Sequence, residues 1–243
     1  MRTGGLFMNQ LELLYSGKAK SVYRTEKPGE LVIKFRDDIT AFDGQKKDTL
    51  AEKGSLNAGV STFFFGLLER NGIITHLIRK IDDTTLLARN LTMIPLEVIV
   101  RNIAAGSMVK NYPVEKGTPL NPPVIVIDFK DDTHHDPMLN DDLIYALKLA
   151  TPEELRELKR IALQVNSVLQ EYLGGRGIDL VDFKLEFGKK DGVIYVGDEI
   201  SMDSMRLWDK KTGESLDKDV YRTGQGDVIT SYHRVAARII AEE

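Results

Sequence analysis

Ile178-Asp179-Leu180-Val181-Asp182-Phe183-Lys184-Leu185-Glu186-Phe187 decides the reading of this chain. Side chains alternate faces along a strand, so Val181, Phe183, Leu185 and Phe187 share one face, which must be the core. Asp182, Lys184 and Glu186 share the other. An acid, a base and an acid in one row admit two readings: a solvated sheet surface with cross-strand ion pairs, or a charged site. The Lys189-Lys190-Asp191-Gly192 turn leads into a return strand, Val193–Asp198. A three-residue loop, Lys190–Gly192, with Gly192 left-handed, would set Lys189 against Val193, Glu186 against Val196 and Lys184 against Asp198. Asp198 then lies diagonal to Glu186, within reach of a shared cation. Mg²⁺ takes one or two carboxylates plus phosphate oxygens and waters. In that register Glu186 and Asp198, with Lys184 beside them, form a Mg²⁺–phosphate site.

Upstream of this strand, helical spacing and end signals predict a helix from Pro152 to Leu173. Thr151 is its N-cap, Pro152 occupies the first turn, Glu154 completes a capping box and Gly174 ends it. Leu155, Leu158, Ala162, Val165, Leu169 and Tyr172 form its buried stripe. Another helix is predicted from Ser55 to Arg70, stopped by Asn71-Gly72, and a last one near Asp227–Ala241, with Val228, Tyr232, Val235 and Ile239 on one face. Short strands fill the first half: Leu11–Tyr15, Ser21–Arg24, Leu31–Phe35, His76–Ile81, Thr85–Ala88, Glu97–Ile103 and Val124–Phe129. Strands and helices mix without strict alternation, which predicts an α+β fold. Asn90–Pro95 reads as a hinge between an N-terminal lobe, residues 1–92, and a larger C-terminal lobe, residues 93–243.

Composition narrows the chemistry. Lys and Arg total 33 against 37 Asp and Glu, a net charge of −4 that argues against a general nucleic-acid binder. The absence of cysteine excludes disulfides, thiolate nucleophiles and Cys-based metal sites. No apolar run approaches the roughly 18 residues of a membrane span. Met1–Met8 lacks the apolar core of a signal peptide, and Met8 offers an alternative start. The expectation is a cytoplasmic protein that works with carboxylates, lysines and arginines.

Three further stretches supply such groups. Gly17-Lys18-Ala19-Lys20 is a glycine bend flanked by lysines between two strands; it departs from a Walker A loop, yet such a bend can cover phosphates. Its alternative is a solvated turn. Arg101-Asn102-Ile103-Ala104-Ala105-Gly106-Ser107 brings an arginine off a strand end beside small residues and a hydroxyl, which suits a phosphate monoester. Asp203-Ser204-Met205-Arg206 offers a second arginine. His134-His135-Asp136 has no third spaced histidine for a metal site. Gly224-Gln225-Gly226 lacks the third glycine of a dinucleotide fingerprint, and no G-x-S-x-G occurs.

Together, and in this order, these stretches closely resemble the SAICAR synthetase family. The strings are YSGKAKSVY (Tyr15–Tyr23), PLEVIVRNIAAGS (Pro95–Ser107), HDPM (His135–Met138), LVDFKLEFG (Leu180–Gly188), GDEIS (Gly197–Ser201), RLWD (Arg206–Asp209) and LDKDVYR (Leu216–Arg222). One departure stands out. The family usually reads Ser-Pro-Asp where this chain has Ser201-Met202-Asp203, and losing the proline should loosen that loop.

The resemblance implies an N-terminal lobe similar to the small lobe of kinases, a C-terminal ATP-grasp-like lobe, and ATP between them. It implies ligation of CAIR, a carboxyaminoimidazole ribotide, to L-aspartate, giving SAICAR, ADP and phosphate through an acyl phosphate. By motif position, Lys18 and Lys20 would hold ATP phosphates, backbone near Met93 would meet adenine, and Glu186 and Asp198 would hold Mg²⁺. Arg101, Ser107 and Arg206 would bind the ribotide phosphate. Asp182, Lys184 and Asp203 would line the reacting end, with His135 and Asp136 near the aspartate. A homodimer is also implied. The rival readings are a small-molecule kinase on a related two-lobe fold and a non-catalytic nucleotide-binding regulator.

Overall fold

The computed structural model describes residues 11–41, 44–224 and 226–241; the Met1–Met8 segment and Gln225 lie outside them. The chain opens with β1 (Leu13–Ser16), β2 (Lys20–Arg24) and β3 (Glu30–Phe35), then a hairpin of β4 (Asp38–Ala41) and β5 (Lys46–Thr49). Helix α1 (Lys53–Arg70) follows, then β6 (Leu77–Asp82) and β7 (Thr85–Arg89). Among the described residues these strands make an antiparallel five-stranded sheet in the order β1-β2-β3-β7-β6, apart from the separate β4–β5 pair.

The rest builds a second sheet. Its parts are β8 (Thr92–Ile103), α2 (Ser107–Asn111), β9 (Pro119–Phe129), β10 (Met138–Leu139), α3 (Asp141–Ala146), α4 (Pro152–Gly175), β11 (Ile178–Lys190), β12 (Val193–Gly197), β13 (Met205–Asp209), α5 (Asp219–Thr223) and α6 (Val228–Ile240). The sheet order is β10-β9-β8-β11-β12, and β13 also pairs with β11. The fold is α+β with antiparallel sheets, as the sequence predicts. The segment read as a hinge, Asn90–Pro95, runs into β8, which starts at Thr92.

Local signals explain most elements. The capping box of α4 is present in full: Thr151 accepts from the Glu154 N–H, and Glu154 accepts from the Thr151 N–H. The helix passes Gly174 and runs to Gly175. The residue that takes the left-handed turn is Gly177, with φ 68°. Leu155, Leu158, Ala162, Val165 and Leu169 are buried as expected, joined by Ile161, Asn166 and Leu173. Asn166 and Asn102 of β8 exchange amide hydrogen bonds of 2.8 and 3.0 Å, locking α4 to the sheet.

Helix α1 lies between the smaller sheet and α6. Its Ala58 packs with Ile33, Phe35, Leu86 and Ala88 of the smaller sheet. Its Val60, Phe64, Phe65 and Leu68 join the core of the larger one. Backbone ties the sheets as well: the His76 N–H donates to Val196 of β12 (2.9 Å), and the Val196 N–H donates to Ile74 (3.0 Å).

The β11–β12 hairpin departs from the expected register. Asp191 and Gly192 have φ 52° and 78°, as a two-residue type I′ turn requires. Lys190 therefore pairs with Val193, and Glu186 faces Gly197 in place of Val196. The loop is one residue shorter than expected because Asp-Gly accepts left-handed backbone at both positions.

Candidate active site

Register places the charged row of β11 against two neighbours. Glu97 of β8 lies opposite Glu186, and Asp128 of β9 lies opposite Glu97. Three carboxylates thus stand in line across three strands, an arrangement that repels itself unless cations intervene. Lys184 intervenes, reaching Glu97 and, at 3.1 Å, Glu186 Oε1. Lys130 pairs with Glu186 and lies 3.9 Å from Glu97. Burial works against the Lys184 charge, but Glu186, Glu97 and Asp198 outweigh it and keep the ammonium protonated well above its usual range. Asp128 is pushed up to about 6 by burial and by the Glu97 charge. The row is not a solvated surface: Asp182 and Glu186 are each 4% exposed.

Asp198 reaches this face by a route other than strand pairing. It follows the last residue of β12 and has φ 57°, so the chain turns there. Lys20 Nζ donates to Asp198 Oδ1 and, at 2.9 Å, to Glu199 Oε1. This contact spans the two sheets. Burial alone would raise the Asp198 carboxyl, but Lys20, Lys130 and Lys184 hold it well below the usual carboxylate range.

The Ser16-Gly17 bend that presents Lys18 and Lys20 is held by Arg36. The guanidinium donates to Ser16 Oγ (2.8 Å), Ser21 Oγ (2.6 Å) and the Gly17 carbonyl (2.6 Å). Lys18 lines an open cleft of about 700 Å³ with Tyr15, Gly17, Asp38, Thr40 and Lys47.

At the other end of β11, Asp182 lies opposite Arg101 on one side and Arg206 on the other. Arg206 donates to Asp182 Oδ2 (2.8 Å) and to Asp219 (2.8 Å). Arg101 reaches Asp182 at 3.2 Å and Ser107 Oγ at 3.0 Å. The Arg206 guanidinium lies over Gly106, where a Cβ would fall 2.5 Å from it. Gly106 has φ 57°, so glycine supplies both the turn and the clearance. Arg101, Ser107 and Arg206 thus form one corner.

Met93 pairs with Gly188 and is 43% exposed. A Cβ on Gly188 would fall 2.6 Å from Leu91 Cβ and 3.1 Å from Met93 Sδ. His76, Met93 and Leu91 all lie within 4 Å of a Cβ built on Gly197. Burial pushes His76 down to about 4, so its ring is neutral. Asp136 accepts from the Asp131 N–H (2.9 Å) in the turn that carries His135.

Asp203 is held from two sides. Its Oδ1 accepts from the Tyr232 hydroxyl (2.7 Å), and its Oδ2 pairs with Lys53 (2.6 Å). Both oxygens are thus engaged by buried side chains. Met202, at the position where the family usually has proline, is fully buried in the core.

The SAICAR synthetase family model matches residues 13–239. This chain belongs to the SAICAR synthetase family. The phosphoribosylaminoimidazole-succinocarboxamide synthase of Methanoregula boonei is 67% identical over 232 residues, covering 96% of this chain and 91% of the relative. A solved SAICAR synthetase in complex with ADP is 46% identical, with a TM-score of 0.91 over 94% of this chain and 98% of its own. The Ehrlichia chaffeensis enzyme is 40% identical, with a TM-score of 0.92 over 96% and 100%. Family members are ATP-dependent ligases of purine biosynthesis, and so is this chain. The relative that holds ADP supports nucleotide use. The small-molecule kinase reading is not favoured.

Within this SAICAR synthetase fold, sequence reading missed Glu97, Asp128, Lys130, Arg36, Lys53 and Tyr232. Glu97 stands in the quoted Pro95–Ser107 string, and alternation puts it on the face of Arg101. Pairing that face with Glu186 needs the register, which sequence alone does not supply.

Proposed function

We propose that the enzyme joins CAIR to L-aspartate through an acyl phosphate, using ATP between two lobes, residues 1–92 and 93–243. What carries this reading is the buried face on which Lys184 separates Glu186 and Glu97 while two arginines meet at Asp182. One end of that face suits a phosphoryl group in transfer, the other a phosphate monoester.

A carboxylate is a poor acyl donor because its leaving group would be oxide. Attack of the CAIR carboxylate on the γ-phosphorus of ATP forms a C–O–P linkage and releases ADP. The aspartate amine then attacks the acyl carbon, and phosphate leaves with one former carboxylate oxygen. Lys18 and Lys20 neutralise the phosphates, and Lys184 meets charge gathering at the reacting end. Asp182 orients Arg101 and Arg206, and these with Ser107 take the ribotide phosphate. Backbone at Met93 takes the adenine. His135 and Asp136 lie near the aspartate, where a carboxylate would meet its ammonium.

Among the described residues no three carboxylate or histidine groups converge as an all-protein metal cage. Mg²⁺ on a nucleotide needs only one or two carboxylates. Described hydrogen bonds use Oε1 of Glu186 and Oδ1 of Asp198, so this pair fits: it would hold Mg²⁺, which would draw off phosphate charge. A homodimer and a cytoplasmic location belong to the same reading. No helix among the described residues is long and apolar enough to cross a membrane.

The test follows the oxygen. CAIR labelled with ¹⁸O in its carboxylate should deliver one label to inorganic phosphate per SAICAR formed, read by mass spectrometry. Unlabelled phosphate at full SAICAR yield would reject the acyl phosphate.

The arginine corner has its own test. Charge-assisted hydrogen bonds contribute about 1.5–3 kcal/mol, so Arg101→Ala or Arg206→Ala should raise the CAIR constant roughly ten- to a hundredfold. Each variant leaves the other arginine on Asp182, which keeps that buried carboxylate paired. The ATP constant should stay within twofold. A rise in the ATP constant alone would mean the two pockets are assigned the wrong way round.

A further inference from the structure

The turn Ser201–Ser204 is closed by the Ser204 N–H donating to the Ser201 carbonyl (3.0 Å). Met202 occupies its second position, where proline would pre-set the backbone. Something else must therefore fix this turn. Ser201 Oγ donates to Glu199 (2.6 Å) and accepts from the Asp203 N–H (3.1 Å). The stronger anchor is the Asp203 carboxylate. Lys53 Nζ lies 2.6 Å from Oδ2, and the two side chains are 1% and 5% exposed. The Tyr232 hydroxyl, on a residue with no exposure, donates to Oδ1 at 2.7 Å.

Lys53 starts α1 and Tyr232 sits in α6. A buried ion pair contributes little net stability, because desolvation offsets its attraction, but its geometry is strict. Here that strictness falls on a segment with two outputs. The Ser204 carbonyl accepts from the Lys184 N–H (2.9 Å). Two residues on, Arg206 enters β13 and grips Asp182. A shift of the turn would move both groups.

We propose that Lys53 and Tyr232 are positioning residues: through Asp203 they set the turn that aligns Lys184 and Arg206 for the ribotide. This rests on the ribotide reading given above.

The experiment compares Tyr232→Phe and Lys53→Met with wild type, using Arg206→Ala as reference. KM for CAIR and for ATP, kcat, and Tm are measured on the full chain, well below each Tm. Tyr232→Phe keeps the ring and leaves Asp203 paired with Lys53, so it serves if Lys53→Met fails to fold. Misplacing a positioning group by about 1 Å costs on the order of a hundredfold. The smaller shift expected in Tyr232→Phe should raise the CAIR constant about tenfold, lower kcat, and leave the ATP constant within twofold. A fall in Tm with CAIR constant and kcat unchanged would make the trio merely structural and overturn the proposal. If Arg206→Ala raises the CAIR constant and Tyr232→Phe does not, the positioning role alone falls. If Arg206→Ala also leaves it unchanged, the ribotide reading falls, and this proposal with it.

Discussion

Asp198→Asn should give a folded protein that has lost two or more decades of turnover. The fold should survive for two reasons. Asp198 has φ 57°, and asparagine tolerates left-handed backbone as well as aspartate does. Lys20 also keeps Glu199, 2.9 Å away, so no buried ammonium is stranded. Chemistry has no such reserve. Losing one charged ligand beside the transferred phosphoryl group removes about 3 kcal/mol or more of transition-state stabilisation, roughly two decades in rate. Circular dichroism and Tm report the fold; ADP release at saturating substrates reports turnover. A folded variant with normal turnover would reject the assignment of Asp198 to the phosphate end.

Lys184→Met should be damaging in both stability and activity. Among the described residues the variant leaves Asp128, Glu97 and Glu186 in line, with Lys130 as the remaining ion-pair partner of the two glutamates. Removing one partner of a fully buried pair costs about 3–5 kcal/mol; the Lys184 side chain is 30% exposed, so its loss should fall at the lower end, about 3 kcal/mol. For a chain of this size that corresponds to a Tm lower by roughly 6–12 °C, with turnover below detection. The deficit should depend on pH, and its sign is fixed. Asp128 titrates near 6 in the folded chain, above its unfolded value, so the folded state binds the extra proton between about 4 and 6. Stability from this group falls as pH rises through that window, and losing Lys184 pushes the folded value further up. The Tm deficit should therefore be larger at pH 7.5 than at pH 5. An equal deficit at both, measured by calorimetry, would mean that Lys184 does not neutralise the row.

The parts of the site legible in sequence were those encoded by local pattern. Alternation along Asp182, Lys184 and Glu186 located the charged face, and the Thr151–Glu154 capping box located α4, because both signals act within a few residues. What escaped reading depends on distant pairing. The hairpin register slipped by one because a tip of Lys-Asp-Gly serves a two- or a three-residue loop, and only tertiary packing chooses. Asp128 and Lys130 join the site through β9, whose place beside β8 no local signal states. Tyr232 was readable as core from the spacing of the last helix, and it is core; its hydroxyl matters only because Asp203 arrives from elsewhere. The Ser201–Asp203 loop shows the same limit from the other side. A missing proline suggested slack, whereas Met202, Lys53 and Tyr232 hold the turn by contacts far apart in the chain.

Helix α1 packs on the smaller sheet through Ala58, packs on α6, and joins the main core through Val60, Phe64, Phe65 and Leu68, while the chain just after it pairs with β12. The smaller sheet is therefore no cassette that gene fusion could lend to another enzyme. Cut at the junction before β8, one fragment would keep a helix with part of its apolar surface bare, and the other would keep α6 without the helix it packs on. Ancestry and engineering alike must then treat the two halves as one inheritance: a change on either sheet is felt by the other through a shared wall.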